Sequence, residues 1–182
     1  MNNQRGFVLI EFVMALPLIM MLLYGLTETT LQIYRMTKEQ AADYVLAVEA
    51  REVLTRITDD LRAAKSVVIT SDSGNDGKRR DKIVIKYHAI KNDSTKIIDV
   101  IDTRVYKVSK NSNKLQAKRQ DDEFESNPVT GGNFFGDTSV TQLIFSKLDK
   151  NVVHITLEMT SLVTNETIKL STAVFMPACK DE

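Results

Sequence analysis

The strongest constraint on the fold of this chain is a long apolar segment close to its N-terminus. Residues 7–27 read FVLIEFVMALPLIMMLLYGLT, and 17 of these 21 residues are apolar. As an α-helix the segment would be about 30 Å long, which matches the hydrocarbon core of a bilayer. The residues before it, MNNQRG, carry one basic side chain, Arg5, and no acidic one. This flank predicts a cytoplasmic N-terminus and an exported remainder.

One acidic residue, Glu11, lies inside the apolar segment. A charged side chain in a membrane helix costs about 2.5–3.5 kcal/mol on insertion-based scales, so acidic residues there usually have a partner or a function. The alternative is that Glu11, the fifth residue of the segment, lies close enough to the interface to stay hydrated. We take Glu11 as the candidate site residue of this segment.

Two simpler interpretations of the segment stay open. A secretory signal peptide has an apolar stretch of about 7–15 residues and a cleavage site made of small residues. The segment here is longer, and residues 24–30, YGLTETT, contain no such site. An uncleaved membrane anchor fits the length and composition but does not explain Glu11.

The residues around Glu11 resemble the processing site of type IV prepilins and pseudopilins. Residues 5–11, RGFVLIE, have the short basic leader ending in Gly, the Phe that often follows, and a Glu as the fifth mature residue. In that family a membrane-embedded aspartyl peptidase cleaves after the Gly and N-methylates the new terminus. The resemblance therefore implies cleavage between Gly6 and Phe7, with residues 1–6 as the leader.

Cleavage at this bond would create an ammonium group on Phe7, near a carboxylate that it cannot easily reach along its own helix. Phe7 and Glu11 are one turn apart, but the terminal amine points away from that turn. A neighbouring subunit can supply the missing partner. Because opposite charges attract strongly in an apolar bundle and an unpaired charge is penalised, the pair would favour one axial register between adjacent helices. We interpret Glu11 as an assembly residue and not as a catalytic one.

Further resemblances point to two branches of this superfamily. Residues 11–18, EFVMALPL, and 22–25, LLYG, are similar to the E/F-type minor pseudopilins of Tad pilus systems. Residues 50–67, AREVLTRITDDLRAAKSV, resemble the helix end of the J/W-type minor pseudopilins of type II secretion and type IV pilus systems. Pro17 lies earlier than the helix proline of many pilins. Because an interior proline removes a backbone hydrogen bond, we expect a kink or local opening at Pro17.

The helix is predicted to continue beyond the apolar segment as far as Lys65, because residues 28–65 contain no Pro or Gly. Apolar residues recur there at steps of three and four, at Ala47, Ala50, Leu54, Ile57, Leu61 and Ala64. This stripe is typical of one buried helix face, and a short coiled-coil seam is the alternative. Charged side chains are expected on the solvent faces, at Arg51, Glu52, Arg56, Asp59, Asp60 and Arg62.

After Lys65 the apolar pattern changes from helical to alternating, which indicates β-strands. Strands are predicted at residues 66–70, 82–88, 104–109, 115–119, 142–147, 153–159 and 168–176. Turns are predicted at residues 111–113 and 164–166, and a long surface loop at 121–137. The predicted fold is α+β, with a pilin-like long N-terminal helix packed on a C-terminal antiparallel β-sheet head.

The expected organisation has four parts. Residues 1–6 form the leader, 7–28 the transmembrane or filament-core helix, 29–65 its amphipathic continuation, and 66–182 the extracytoplasmic, β-rich head.

The composition argues against several other classes of protein. The 24 basic and 24 acidic side chains give no net charge, which disfavours a nucleic-acid binder, because binding of a polyanion needs an excess of basic residues on one face. One Cys and two His residues give no disulfide framework and no zinc cluster. We therefore expect no catalytic residue, metal, cofactor or small-molecule substrate.

Weaker motifs favour ordinary surface roles. Residues 72–77, DSGNDG, begin like a calcium loop but lack the ligands that it needs at its third and twelfth positions. Basic residues 78–80 with Lys82 are expected to form a solvated turn. Surface positions are also expected for the acidic residues of the long loop, for the two histidines and for the single thiol, at Asp121, Asp122, Glu123, Glu125, His88, His154 and Cys179.

The resemblance implies a function that is structural and not enzymatic. The chain would be a minor pilin or pseudopilin that prepilin peptidase processes and that assembles with other pilin subunits into a type IV pilus, a type II secretion pseudopilus or a related filament. It would first span the bacterial cytoplasmic (inner) membrane once, with its head exported. The alternative is a single-pass membrane-anchored extracytoplasmic domain that binds a ligand or acts as an enzyme.

Overall fold

The computed structural model describes residues 3–73, 76–93, 96–119, 129–130 and 137–177, and the side chains of residues 3–9 and 88–100 lie outside this description. The described part contains one helix and seven strands. They are α1 (Asn3–Arg62), β1 (Ser66–Thr70), β2 (Lys82–Asp93), β3 (Lys96–Val108), β4 (Leu115–Arg119), β5 (Thr138–Asp149), β6 (Val152–Ser161) and β7 (Thr167–Phe175). The chain divides into two compact units, Met1–Gln40 and Ala41–Glu182.

In the second unit, α1 buries one face against the sheets, which confirms the predicted α+β fold and the buried stripe. Ile57 and Leu61 are fully buried in the common core. Leu46 and Val53 are buried as well, whereas Leu54 is only partly buried. The centre of the buried face therefore lies one residue earlier than predicted in part of the helix.

The helix ends three residues before the predicted end, at Arg62. The backbone N–H of Lys65 donates to the carbonyl oxygen of Lys86 at 2.7 Å, so the chain already bonds to β2 there. The pairing with a strand replaces the next turn of helix, and β1 follows at Ser66 as predicted.

The first sheet is an antiparallel meander in the order β1-β2-β3-β4. Ile83 lies opposite Tyr106 in the register of β2 and β3, and both side chains are fully buried. Beyond the sheet, residues 88–93 pair with residues 96–101 as a two-stranded ribbon. Strands were predicted only at 82–88 and 104–109, so most of this ribbon was missed.

The second sheet is an antiparallel meander in the order β5-β6-β7. The alternation predicted for β6 is confirmed, because Val153, Ile155, Leu157 and Met159 are all buried. β5 begins at Thr138, earlier than predicted, and its pairing with β6 contains two register shifts.

In the first sheet, the predicted turn at residues 111–113 is also confirmed, with Asn113 at a positive φ of 53°.

A short segment before β2 joins the two sheets through a buried carboxylate. Asp81 is fully buried, accepts a hydrogen bond from the Phe145 backbone N–H at 2.9 Å and pairs with Arg79 at 2.7 Å. The Asp81 backbone N–H also donates to the carbonyl oxygen of Leu143 at 2.8 Å. Each oxygen of Asp81 thus has a donor, which a buried carboxylate requires.

The prediction of a solvated basic turn at residues 78–80 with Lys82 is confirmed for Lys78, Arg79 and Lys82, which are exposed, and is wrong for Arg80. Arg80 is only 7% exposed and forms an ion pair with Asp76 at 2.7 Å. A parallel β-bridge between Arg80 and Leu143 holds this part of the chain against β5. Arg80 is buried because its backbone belongs to the contact between the sheets.

Leu61→Ala should lower the free energy of unfolding by about 2–5 kcal/mol, because it leaves a cavity in the core shared by α1 and both sheets. Leu162→Ala is the matched control, since its side chain is 56% exposed, and it should cost less than about 0.5 kcal/mol. Denaturant unfolding of the full chain in detergent measures both. Equal losses in the two variants would contradict the described packing of α1.

Candidate functional site

The candidate site predicted from the sequence lies in the first unit, at Gly6, Phe7 and Glu11. The backbone of all three residues belongs to α1, and the side chain of Phe7 lies outside the described residues. The side chain of Glu11 is exposed. α1 continues through Pro17 as one helix, so the proline does not end it.

The helix around Glu11 presents an exposed apolar surface. From Ile10 to Leu26, the exposed fraction of each large apolar side chain lies between 39% at Leu16 and 76% at Met21. The described residues include one helix that is long and apolar enough to cross a membrane, and its apolar stretch is not buried within the chain. An apolar surface of this size is unfavourable in water and indicates contact with lipid or with other proteins.

Several threonine hydroxyl groups on this helix are satisfied within the helix itself. Four threonine hydroxyls each donate to the carbonyl oxygen four residues earlier, at 2.7–2.8 Å. They belong to Thr27, Thr29, Thr30 and Thr37. Internal bonds of this kind let hydroxyl side chains lie in or near an apolar environment without an unpaired donor.

Glu11 is the one charged side chain between Ile10 and Leu26. No hydrogen bond or ion pair joins it to another residue in the described part of the chain. An exposed carboxylate in an apolar helix surface can accept hydrogen bonds from a cation that another molecule brings. The same carboxylate would be penalised if the surface were covered without such a donor.

The second unit contains a polar cluster between α1 and β3. The carboxylate of Asp60 lies 2.6 Å and 2.8 Å from Nη1 of Arg104, and the hydroxyl of Tyr106 donates to the same carboxylate. Asp60 was predicted to face solvent, but it is half-buried. The prediction was wrong because a partner on a distant strand draws this side chain toward the sheet.

The electrostatics of this cluster keep its donors protonated. Burial raises the pKa of the Tyr106 hydroxyl, and the hydrogen bond to Asp60 raises it further. Burial alone would lower the pKa of Arg104, but the hydrogen bond and charge of Asp60 outweigh it and raise that pKa. The cluster is well suited to fixing the last turns of α1 on the sheet.

The remaining predicted motifs do not converge on a site. Asp72 pairs with Lys110 at 3.1 Å, and Asp76 pairs with Arg80. Within the described ranges, no group of three or more His, Cys, Asp or Glu side chains could hold a metal ion. His154 is half-buried, and its neighbours Val153 and Ile155 point to the opposite, buried face. The side chain of His88 and the whole of Asp121, Asp122, Glu123, Glu125 and Cys179 lie outside the described residues.

Comparison of the chain with protein-family profiles, with curated proteins and with solved structures finds no match. The N-terminal apolar helix and the antiparallel sheets are compatible with a pilin-like fold. They are equally compatible with a single-pass membrane anchor that carries an extracytoplasmic domain.

The Tyr106→Phe variant should lose less free energy of unfolding at alkaline pH than the wild type does. The folded state binds the Tyr106 proton more tightly than the unfolded chain does, in which tyrosine titrates near pH 10. The stability that this difference contributes is therefore complete below about pH 10 and is lost as the pH rises toward the higher folded-state pKa.

Free energies of unfolding between about pH 8 and pH 11 test this expectation. Tyr44→Phe is the control, because the Tyr44 side chain is 72% exposed, and it should keep the wild-type profile. An alkaline decline in Tyr106→Phe as steep as in the wild type would show that Tyr106 is not the group responsible.

Proposed function

We propose that the chain is a minor pilin or pseudopilin, a structural subunit that assembles through its N-terminal helix. In this proposal prepilin peptidase cleaves between Gly6 and Phe7, and the mature subunit joins other pilin subunits in a type IV pilus, a type II secretion pseudopilus or a related filament. The observation that carries the proposal is Glu11, a single exposed carboxylate in an otherwise apolar helix surface. Its spacing from Gly6 is that of the prepilin processing site.

The exposed helix surface supports assembly in two environments. Before assembly the large side chains between Ile10 and Leu26 would contact lipid, and after assembly they would contact the helices of neighbouring subunits. Both environments remove the surface from water, so the transfer between them costs little hydrophobic free energy. Glu11 then favours the assembled state, because a neighbour's ammonium group satisfies it there.

The proposal assigns different tasks to the two units. The helix of the first unit would hold the subunit in the bacterial cytoplasmic (inner) membrane and later in the filament. The β-rich second unit, exported from the cytoplasm, would determine which partner subunits are met. No step of this function requires catalysis, a metal or a cofactor.

A simple membrane anchor is the competing explanation, and the mature N-terminus distinguishes the two. An anchor needs only length and apolarity, which the helix has, and it gives no reason for a carboxylate at Glu11. Mass spectrometry of the protein purified from its producing cells should find a chain that begins at N-methylated Phe7. A fully functional protein that retains Met1 would contradict the proposal.

Gly6→Val should block processing, because the peptidase would meet a branched side chain at the residue whose carbonyl it attacks. The unprocessed chain, longer by residues 1–6, should accumulate in the membrane. Ala15→Val is a matched control that adds the same kind of side chain within the apolar segment, and it should be processed normally. Equal cleavage of the two variants would exclude Gly6 as the processing site.

Glu11→Gln and Glu11→Val should be processed almost normally but should enter filaments about tenfold less or worse, which corresponds to a loss of about 1.4 kcal/mol in association. The variants lack the charge that meets the neighbour's terminal ammonium group. Glu28→Gln, which removes a carboxylate outside the apolar segment, is the control and should assemble as the wild type does. Quantitative immunoblots of sheared filaments and of membranes measure the ratio. Normal assembly of Glu11→Val would refute the role given to this carboxylate.

A further inference from the structure

β7 is an unusually open edge of the second sheet. It pairs with β6 over nine successive positions without a register shift, and no segment in the described part of the chain pairs with its other edge. The strand contains no proline and one charged residue, Lys169. Long, regular edges normally carry charges, prolines or bulges, because a free edge offers hydrogen bonds to another chain. By contrast β5, the opposite edge strand, has two register shifts and a bridge to Arg80.

The apolar side chains at this edge are incompletely covered. The inner face of β6 is fully buried from Val153 to Met159, whereas Ile168 and Leu170 on the same face of β7 are only partly buried. On the outer face, Phe175 is 61% exposed. One more strand beside β7 would cover these side chains and would satisfy the free backbone groups at the same time.

We propose that β7 pairs antiparallel with β7 of a second copy of the chain, about a two-fold axis at Ser171. Ser171 is the middle residue of the nine-residue strand, so an axis there lets every residue of β7 find a partner. The register is then fixed by symmetry. Ser171 faces itself, Lys169 faces Ala173 of the second copy, and Leu170 faces Thr172 of the second copy. The two three-stranded sheets become one six-stranded sheet, with the apolar row of β7 continuous across the axis.

The charge pattern of β7 favours a second copy in this orientation. In the antiparallel pair the two Lys169 side chains are four residues apart along the strands, or about 13–14 Å. That distance exceeds the screening length of about 8–10 Å at ordinary salt concentrations, so their repulsion is weak. A parallel pair would place Lys169 beside its own counterpart, which is unfavourable. Compared with an unshifted parallel pair, the antiparallel pair of two β7 strands therefore avoids a close contact between like charges.

This pairing uses groups of the second unit and does not depend on cleavage at Gly6 or on the role of Glu11. It is therefore open to a direct test in the full-length chain. Residues directly opposite each other in two antiparallel strands have Cα atoms about 4.5–5.5 Å apart, and a disulfide can bridge this distance. Ser171 is exposed on the outer face of β7, so a cysteine there should be tolerated.

The experiment uses the full-length chain in detergent with Cys179→Ser as the background. Ser171→Cys should form disulfide-linked dimers under mild oxidation, with a yield at least about fivefold above the control, because the two sulfur atoms meet at the axis. Thr156→Cys is the matched control, since Thr156 lies opposite Ser171 on the interior strand β6. A mixture of Lys169→Cys and Ala173→Cys chains should cross-link to each other in preference to themselves, which tests the register.

Three outcomes would overturn the proposal. Ser171→Cys could give no more dimer than Thr156→Cys, or the Lys169→Cys and Ala173→Cys chains could show no preference for each other. In intact membranes, Ser171→Cys could instead cross-link to a chain of different mass, which would show that another protein occupies the edge.

Discussion

The exposed apolar surface of α1 is the constraint on which the rest of the molecule depends. Between Ile10 and Leu26 the helix exposes nearly every large side chain, and water is a poor environment for such a surface. In the second unit the apolar side chains of the helix are removed from water within the chain itself, because the helix there packs a narrow apolar stripe on the sheets. One continuous helical sequence thus contains a segment that needs an external apolar environment and a segment that provides its own core.

The second unit is held together by side chains that meet at the helix and between the sheets. Ile57 and Leu61 fill the core from the helix side, and Asp60 fixes the same turns through Arg104 and Tyr106. Asp81 binds the segment before β2 to β5. Each of these acidic groups is matched by donors from a distant part of the chain, so they specify the arrangement of the elements. Both sheets are meanders of neighbouring strands, which limits the cost of loop closure.

Sequence patterns predicted the elements that bury one face and missed those that depend on distant partners. β4 and β6 alternate between apolar and polar residues because one face of each packs on the core, and both were found. Most of the ribbon formed by residues 88–93 and 96–101 was missed because Ile97 and Ile98 are adjacent and do not alternate. The roles of Asp60 and Asp81 were missed because Arg104 and the Phe145 backbone N–H lie far away in the sequence. The burial of Arg80 was missed because it follows from the bridge to Leu143, although its ion-pair partner Asp76 is local. The candidate site came from a local motif, and the structure adds the exposure of Glu11.

A single carboxylate can contribute what the apolar surface around it cannot. Apolar contacts are non-directional and change little when one helix slides past another by a turn. A charge in that surface makes the possible registers differ in free energy. Every misaligned register buries the charge without a partner, while one register pairs it. In the proposed assembly, Glu11 would therefore need no large net affinity to set the register. Its effect would be the difference in free energy between aligned and misaligned helices, and that difference grows as the surrounding surface becomes more apolar.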